Sequence, residues 1–145
     1  MVEEKASTIA MTKIKELTEG LKSSEKYSKH IQELGKNISD IVDNAWIWLL
    51  DDKGKFAYSN SVINDFLGYK PKELIGKSPF DLMKKKEDER YFEEMAKAVK
   101  EGDCLLNYAN KNMNKQGKEV ELITNMWFIF KDSKIVGVVG IDKLK

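Results

Sequence analysis

Asp51-Asp52-Lys53-Gly54-Lys55-Phe56-Ala57-Tyr58-Ser59-Asn60, followed by Asn64-Asp65-Phe66-Leu67-Gly68-Tyr69-Lys70-Pro71-Lys72-Glu73-Leu74-Ile75-Gly76-Lys77-Ser78, is the stretch on which the fold turns. Just before it, Ala45-Trp46-Ile47-Trp48-Leu49-Leu50 is an unbroken apolar run, and Lys55 to Tyr58 is rich in aromatics. Two strand-like runs flanking an Asp-Lys-Gly turn predict a β-hairpin. Val62, Ile63, Phe66 and Leu67 then fall at helical spacing and stop at Gly68. Pro71 lies in a second short helix that ends at Gly76. Both glycines stand where a short helix ends and the chain wants positive φ. Asn60, between strand and helix, is placed to cap the helix.

Further along, Pro79 opens a turn holding Phe80, Leu82 and Met83. Glu87 to Lys100 predicts a longer helix with Phe92, Met95 and Val99 on one face, closed by Glu101-Gly102-Asp103. Leu105 to Met113, Glu119 to Phe130 and Lys134 to Ile141 predict three strands, turned by Gln116-Gly117 and Asp132-Ser133. Strands on either side of a block of helices argue for an α+β domain. The first hairpin must pair with the last three strands, which gives a five-stranded antiparallel sheet with helices on one face. In the first strand Trp46 and Trp48 share a face, and Ile47 and Leu49 share the other. Both faces are apolar, so both are expected to be covered. The N-terminal segment or a second subunit is the expected cover, with at least one of Trp46 and Trp48 in that contact.

Residues 1–43 form a separate helical arm. Ala10, Ile14, Leu17 and Leu21 step by four, three and four, and Tyr27, Ile31, Leu34, Ile38 and Ile41 by four, three, four and three. This is the seam of one helix packed on another. Leu21 to Tyr27 is six residues where a heptad needs seven, with Gly20 and Ser23-Ser24 at the break. Two hinged helices or one helix with a stammer fit equally. A homodimeric signalling coiled coil through Tyr27, Ile31, Leu34, Ile38 and Ile41 is the expectation. The alternative is an amphipathic helix folded back on its own domain.

The chain has 145 residues, with room for one domain and an appendage, in residues 44–145 and 1–43. Its 25 basic and 24 acidic side chains alternate, so no nucleic-acid footprint is expected. Cys104 is the single cysteine and His30 the single histidine, which excludes intramolecular disulfides and multi-Cys or multi-His metal sites. No apolar run has the ~20 residues of a membrane span, and the N-terminus lacks the plan of a signal peptide. A cytoplasmic protein is the expectation. G-x-S-x-G, P-loop and H-E-x-x-H motifs are missing, Asp51 and Asp52 lie in a turn, and no enzymatic activity is expected.

The hairpin, Asn60 and the run Leu67-Gly68-Tyr69 through Glu73-Leu74-Ile75-Gly76-Lys77 together resemble the signature of the PAS family. Glu87-Asp88-Glu89-Arg90, the Asn114-Lys115-Gln116-Gly117-Lys118 hairpin, and Ile135 to Asp142 resemble its further landmarks in order. The likeness covers roughly two-thirds of the chain. It implies a sensory signal-transduction module with a ligand held between the helices and the inner sheet face. Asn60, Phe66, Phe92, Met95, Asn107, Asn125 and Trp127 are then the candidate wall. Asn107 and Asn125 each interrupt an apolar-aromatic strand, and a buried amide needs partners. Either a polar ligand supplies them, or the two amides face solvent or satisfy each other. With no arginine or histidine in that wall, a small uncharged or weakly polar ligand is expected.

The family's cofactors find little support here. Flavin-thiol photochemistry needs asparagine and cysteine after the Gly76-Lys77 turn, where this chain has Ser78 and Pro79. Coumarate binding needs a cysteine after Asp81-Leu82, where Met83 and three lysines follow. Haem sensing uses a histidine on the longer helix, which has none; Met95 or Tyr91 as axial ligand has no support. Non-covalent FAD has only Trp46, Trp48 and Trp127 to argue for it. Many members end in Asp-Ile-Thr, which joins the sheet to an output helix; Asp142 is present and the threonine is not. A ligand-free interaction or dimerisation module is the alternative to a sensor.

Overall fold

Five consecutive apolar side chains form β1 (Trp46–Leu50), and all five are buried. The structure, a computed structural model, describes residues 44–84, 87–102 and 104–145, apart from the side chain of residue 88. The helical arm and its coiled-coil seam lie outside the described residues. At the first turn, Asp51 Oδ1 accepts from the Lys53 and Lys55 amides at 2.9 and 3.0 Å, and Gly54 takes φ 75°. An Asp side chain mimicking a backbone turn, with glycine in the left-handed region, reverses the chain into β2 (Phe56–Ser59). The same device recurs at Asn114, whose Oδ1 accepts from the Gln116 and Lys118 amides before Gly117 at φ 83°.

Short helices α1 (Val62–Leu67) and α2 (Pro71–Leu74) and a 3-10 turn (Pro79–Asp81) follow. Gly68 ends α1 at φ 80°, as its position predicts. Next come α3 (Glu87–Glu101), β3 (Cys104–Met113), β4 (Glu119–Lys131) and β5 (Lys134–Leu144). The sheet order is β2-β1-β5-β4-β3, antiparallel throughout, so the first hairpin joins the last three strands through β1 and β5. Among the described residues no helix is long and apolar enough to cross a membrane.

Alternation along each strand divides the apolar residues between two faces. Under the helices lie Trp46, Trp48, Leu50, Phe56, Leu122, Met126, Phe128 and Val138, packed with Ile63, Leu67, Leu74, Leu82 and Tyr91. Ala45, Ile47, Leu49, Trp127, Ile129, Val139 and Ile141 form a second buried cluster on the opposite face. None of the described helices contributes to that second cluster. The parity of the tryptophans is as expected, but their location corrects the expectation that one makes a peripheral contact. β1 is an interior strand, and both indoles belong to the helix-side core.

On helix α3 the expected face holds at Met95 and Val99, which pack on the helix-side core, and fails at Phe92. Tyr91, Met95 and Ala98 face the sheet, whereas Phe92 is 65% exposed. Tyr91, Met95 and Ala98 fall at i, i+4 and i+7, a stripe as regular as the one through Phe92. The polar end of Tyr91 reaches Met126 Sδ at 3.9 Å, so a tyrosine is tolerated where a more apolar phenylalanine was expected.

Asn60 does not cap α1, whose N-cap is Ser61. Its side chain instead clamps β1: Oδ1 accepts from the Ile47 amide at 3.0 Å, and Nδ2 donates to the Ala45 carbonyl at 2.8 Å. The Asn60 amide also donates to the Ile47 carbonyl at 2.9 Å. Asn60→Ala strands two buried backbone groups, so a loss of about 2 kcal/mol in urea unfolding is expected. An unchanged midpoint would mean that water replaces the amide.

Candidate functional site

The polar groups of the sheet's inner face converge on one spot. In register, Trp46 on β1 stands beside Asp142 on β5, Asp142 beside Thr124 on β4, and Thr124 beside Tyr108 on β3. Thr124 Oγ1 donates to Asp142 Oδ2 at 3.0 Å, and Trp48 Nε1 donates to Asp142 Oδ1 at 3.0 Å. Asn110 Nδ2 donates to Thr124 Oγ1 at 2.8 Å, and Asn112 Nδ2 to Asn110 Oδ1 at 2.6 Å. The chain of bonds crosses four strands and every donor points toward Asp142. Asn110, Asn112, Thr124 and Asp142 are all buried.

Gly140 sets this arrangement. It pairs with Trp48 across β1 and β5, and a Cβ there would fall inside the indole, against Cε2 and Cζ2. The missing side chain lets the ring lie flat across β5 and carry Nε1 two residues along to Asp142. Trp46, meanwhile, donates to Ser59 Oγ at 2.9 Å. The rings of Trp46, Trp48 and Phe56 lie 5.9–6.0 Å apart by centroid.

Between this row and the helices is a cavity of about 10 Å³. That is on the order of the space one water needs. Trp46, Trp48 and Phe56 line it from the hairpin, Tyr91 from α3, and Asn110, Asn112, Thr124 and Asp142 from the last strands. Pro79, Leu82 and Met83 close it. The closure is tied down by the Met113 amide, which donates to the Leu82 carbonyl at 2.7 Å. Burial pushes the Asp142 carboxyl up to about 7, against the pull of the Trp48 and Thr124 donors. Burial, then the neighbouring Asp142 and Tyr108, push the Tyr91 hydroxyl upward too, so it stays protonated.

None of the seven wall residues named from sequence lines this cavity. Phe66 and Met95 pack at the margin of the helix-side core. Asn60 clamps β1, and Phe92 is exposed. Trp127 is buried on the opposite face. Asn107 is exposed, and its amide donates to Asn125 Oδ1 at 2.9 Å. That pair pins a bulge: Leu105 opposes Met126 and Tyr108 opposes Thr124, so β3 carries one extra residue between them. Asn107 takes φ 54°, which asparagine tolerates. The bulge resets the alternation of β3, so Tyr108, Asn110 and Asn112 face inward. Period-2 counting from Asn110 and Asn112 alone, with the inward parity of Trp46, would have found them.

Asp142, the landmark near the end of the last strand, lies buried within β5, and both its carboxyl oxygens are held in the inner row. An isoalloxazine or a porphyrin does not fit a space for one water, and Cys104 packs with the opposite face. The residues present therefore do not fit these groups.

A family model described as PAS domain matches residues 44–142. Among solved structures, the PAS domain of a protein from Colwellia psychrerythraea is similar at 20% identity with a TM-score of 0.68, over 76% of this chain and 92% of that one. Drosophila melanogaster Cycle PAS-B with bound ethylene glycol is similar at 14% identity with a TM-score of 0.62, over 69% of this chain and 99% of that one. An RNA-binding Light-Oxygen-Voltage receptor is similar at 15% identity with a TM-score of 0.60, over 70% of this chain and 30% of that one. No curated protein matches. At these identities the likeness is one of fold.

Proposed function

Since the chain belongs to the PAS family through residues 44–142, we propose that it is a sensory module that answers a small polar guest beneath its helices and relays the change to helical dimer contacts. One observation carries this reading. The strands that hold the inner polar row, β1 and β5, present their alternate residues to the opposite apolar face. Ile47 lies between Trp46 and Trp48, and Ile141 between Gly140 and Asp142. A shift in the inner row therefore moves Ile47 and Ile141 on the far side by pleat geometry alone.

This reading assigns the cover of that far face to the N-terminal segment or to a second subunit, the dimer contacts running through the arm's apolar stripe. The chain enters β1 at Ala45, itself part of the cluster, and the arm's four-three stepping supplies an apolar stripe. In this reading the module performs no chemistry of its own. A second reading, a ligand-free interaction module, is favoured by the small cavity, since a closely packed interior leaves little for a guest.

Sedimentation of three proteins tests the proposal. Leu34→Asp with Ile38→Asp is expected to yield monomers; sedimentation like the wild type would show that the arm is not the interface. Thr124→Val breaks the inner row without touching the arm, and is expected to change the dimer dissociation constant by about threefold or more. No change there would leave the interaction-module reading alone.

A further inference from the structure

The wall expected from sequence held no charged group, which pointed to an uncharged ligand. The wall that the fold builds holds a carboxyl. We propose that the space beside Asp142 is a binding site for a small ammonium cation, ammonium itself or primary methylammonium, held by the Asp142 carboxylate and walled by aromatic rings. The proposal rests on reading the domain as guest-responsive and names the class of guest.

An ionised carboxylate accepts about four hydrogen bonds, and Asp142 receives one on each oxygen, from Trp48 and Thr124. Both donors are neutral, and the side-chain ion pairs given by the described residues, such as Lys84–Glu119 and Lys115–Glu73, lie elsewhere on exposed surface. A buried carboxylate without a cation is costly, and a cation entering beside it relieves that cost. The rest of the wall suits a cation as well. Trp46, Trp48, Phe56 and Tyr91 present aromatic surface, whose electron-rich faces attract ammonium groups.

Size narrows the class further. About 10 Å³ admits a guest the size of water, which ammonium matches. Methylammonium needs one carbon more, which the unbranched Met83 at the closure can yield. An anion would face Asp142 directly and is excluded by charge. The raised proton affinity of Asp142 agrees with this: the carboxyl exchanges between its two forms near neutrality, and a cation draws it to the ionised one.

The indole N–H of Trp48, hydrogen-bonded to Asp142, is a resolved reporter in proton–nitrogen NMR of the full chain. Titration with ammonium chloride and with methylammonium chloride should shift it saturably. Potassium chloride at the same ionic strength, and methanol at the same concentrations, should not. In Asp142→Asn, which keeps the shape and both neutral partners, the ammonium affinity should fall by about tenfold or more. Equal response to potassium would reassign the site to a bare monovalent ion and overturn the proposal. Equal response to methanol would do the same while leaving a guest-responsive domain in place. A wild-type indole that answers none of the four overturns the proposal, and the sedimentation of Thr124→Val then decides separately whether the inner row relays anything.

Discussion

Gly140→Ala is expected to destabilise the domain by roughly 3 kcal/mol or more, although it adds one methyl group in a strand where alanine is ordinarily better tolerated than glycine. The backbone gives no reason for the cost, because Gly140 is not among the residues with positive φ. The reason is the ring. A Cβ at 140 occupies the place of the Trp48 indole, which is buried between β5 and Phe56 and has no free volume beside it larger than a water. The indole must swing out, and it then surrenders its bond to Asp142 and leaves a buried carboxyl with one donor. For a domain of this size the loss corresponds to a fall in Tm of about 12 °C or more. A double-mutant cycle isolates the cause. In a Trp48→Val background the same alanine should cost less than about 1 kcal/mol, since the volume it needs is vacant. An equal cost in both backgrounds would show that the ring is not what Gly140 accommodates.

Gly140 also shows where the sequence was readable and where it was not. The hairpin, the two short helices and the three final strands were legible because turn chemistry and apolar spacing are local. Asp51 bonds the amides of its own turn through its side chain, and the positive φ of Gly54, Gly68 and Gly76 follows from residue type. That the hairpin pairs with the last three strands also followed from the strand sequence; that it does so through β1 against β5 is seen only in the fold. The wall of the site was not legible, because it depends on which face each strand turns inward. One extra residue in β3 at Asn107 exchanged the faces, sending Asn110 and Asn112 into the core and leaving Asn107 outside. Of the two alternatives for Asn107 and Asn125, the strand adopts the one without a ligand: Asn107 is exposed and its backbone N–H donates to Asn125 Oδ1. On α3, the choice between stripes through Tyr91 or Phe92 turned on hydrophobicity, and the structure prefers the residue whose hydroxyl finds Met126. Asp142 escaped for a different reason. The resemblance marks it only as a landmark at the end of the last strand, and its place in the inner row emerges once its cross-strand neighbours, Trp46 and Thr124, are known.

Stability should fall as pH rises from about 4 to about 7, and Asp142 should be responsible. Its carboxyl titrates near 7 in the folded domain and near 3.8 in the unfolded chain. Between those values the folded state holds a proton that the unfolded state has released, so raising the pH favours unfolding. Below the lower value both states are protonated, and above the upper one both are ionised; the effect is confined to the window. Its full size is on the order of 4 kcal/mol, and solvent entry at high pH would reduce it. The groups facing the carboxyl are Trp46, Trp48 and Phe56 from the hairpin, Tyr91 from α3, and Thr124, Asn110 and Asn112 from β4 and β3. Of these only Tyr91 titrates, and it stays protonated throughout. Glu73, whose carboxyl is held below its ordinary value first by its bond to Lys115, acts with the opposite sign at the acid end, so the informative quantity is a difference. Asp142→Asn keeps an acceptor for the Trp48 indole, replaces the oxygen that accepts from Thr124 with an N–H to which the Thr124 hydroxyl offers a lone pair, and has no proton to lose. Urea unfolding of both proteins at one concentration, from pH 4.5 to pH 8, should show the variant gaining on the wild type by a few kcal/mol across that range. A gap between the two that stays constant with pH would mean that the folded domain holds Asp142 ionised at every pH tested, and that water or a cation already reaches it beneath the helices.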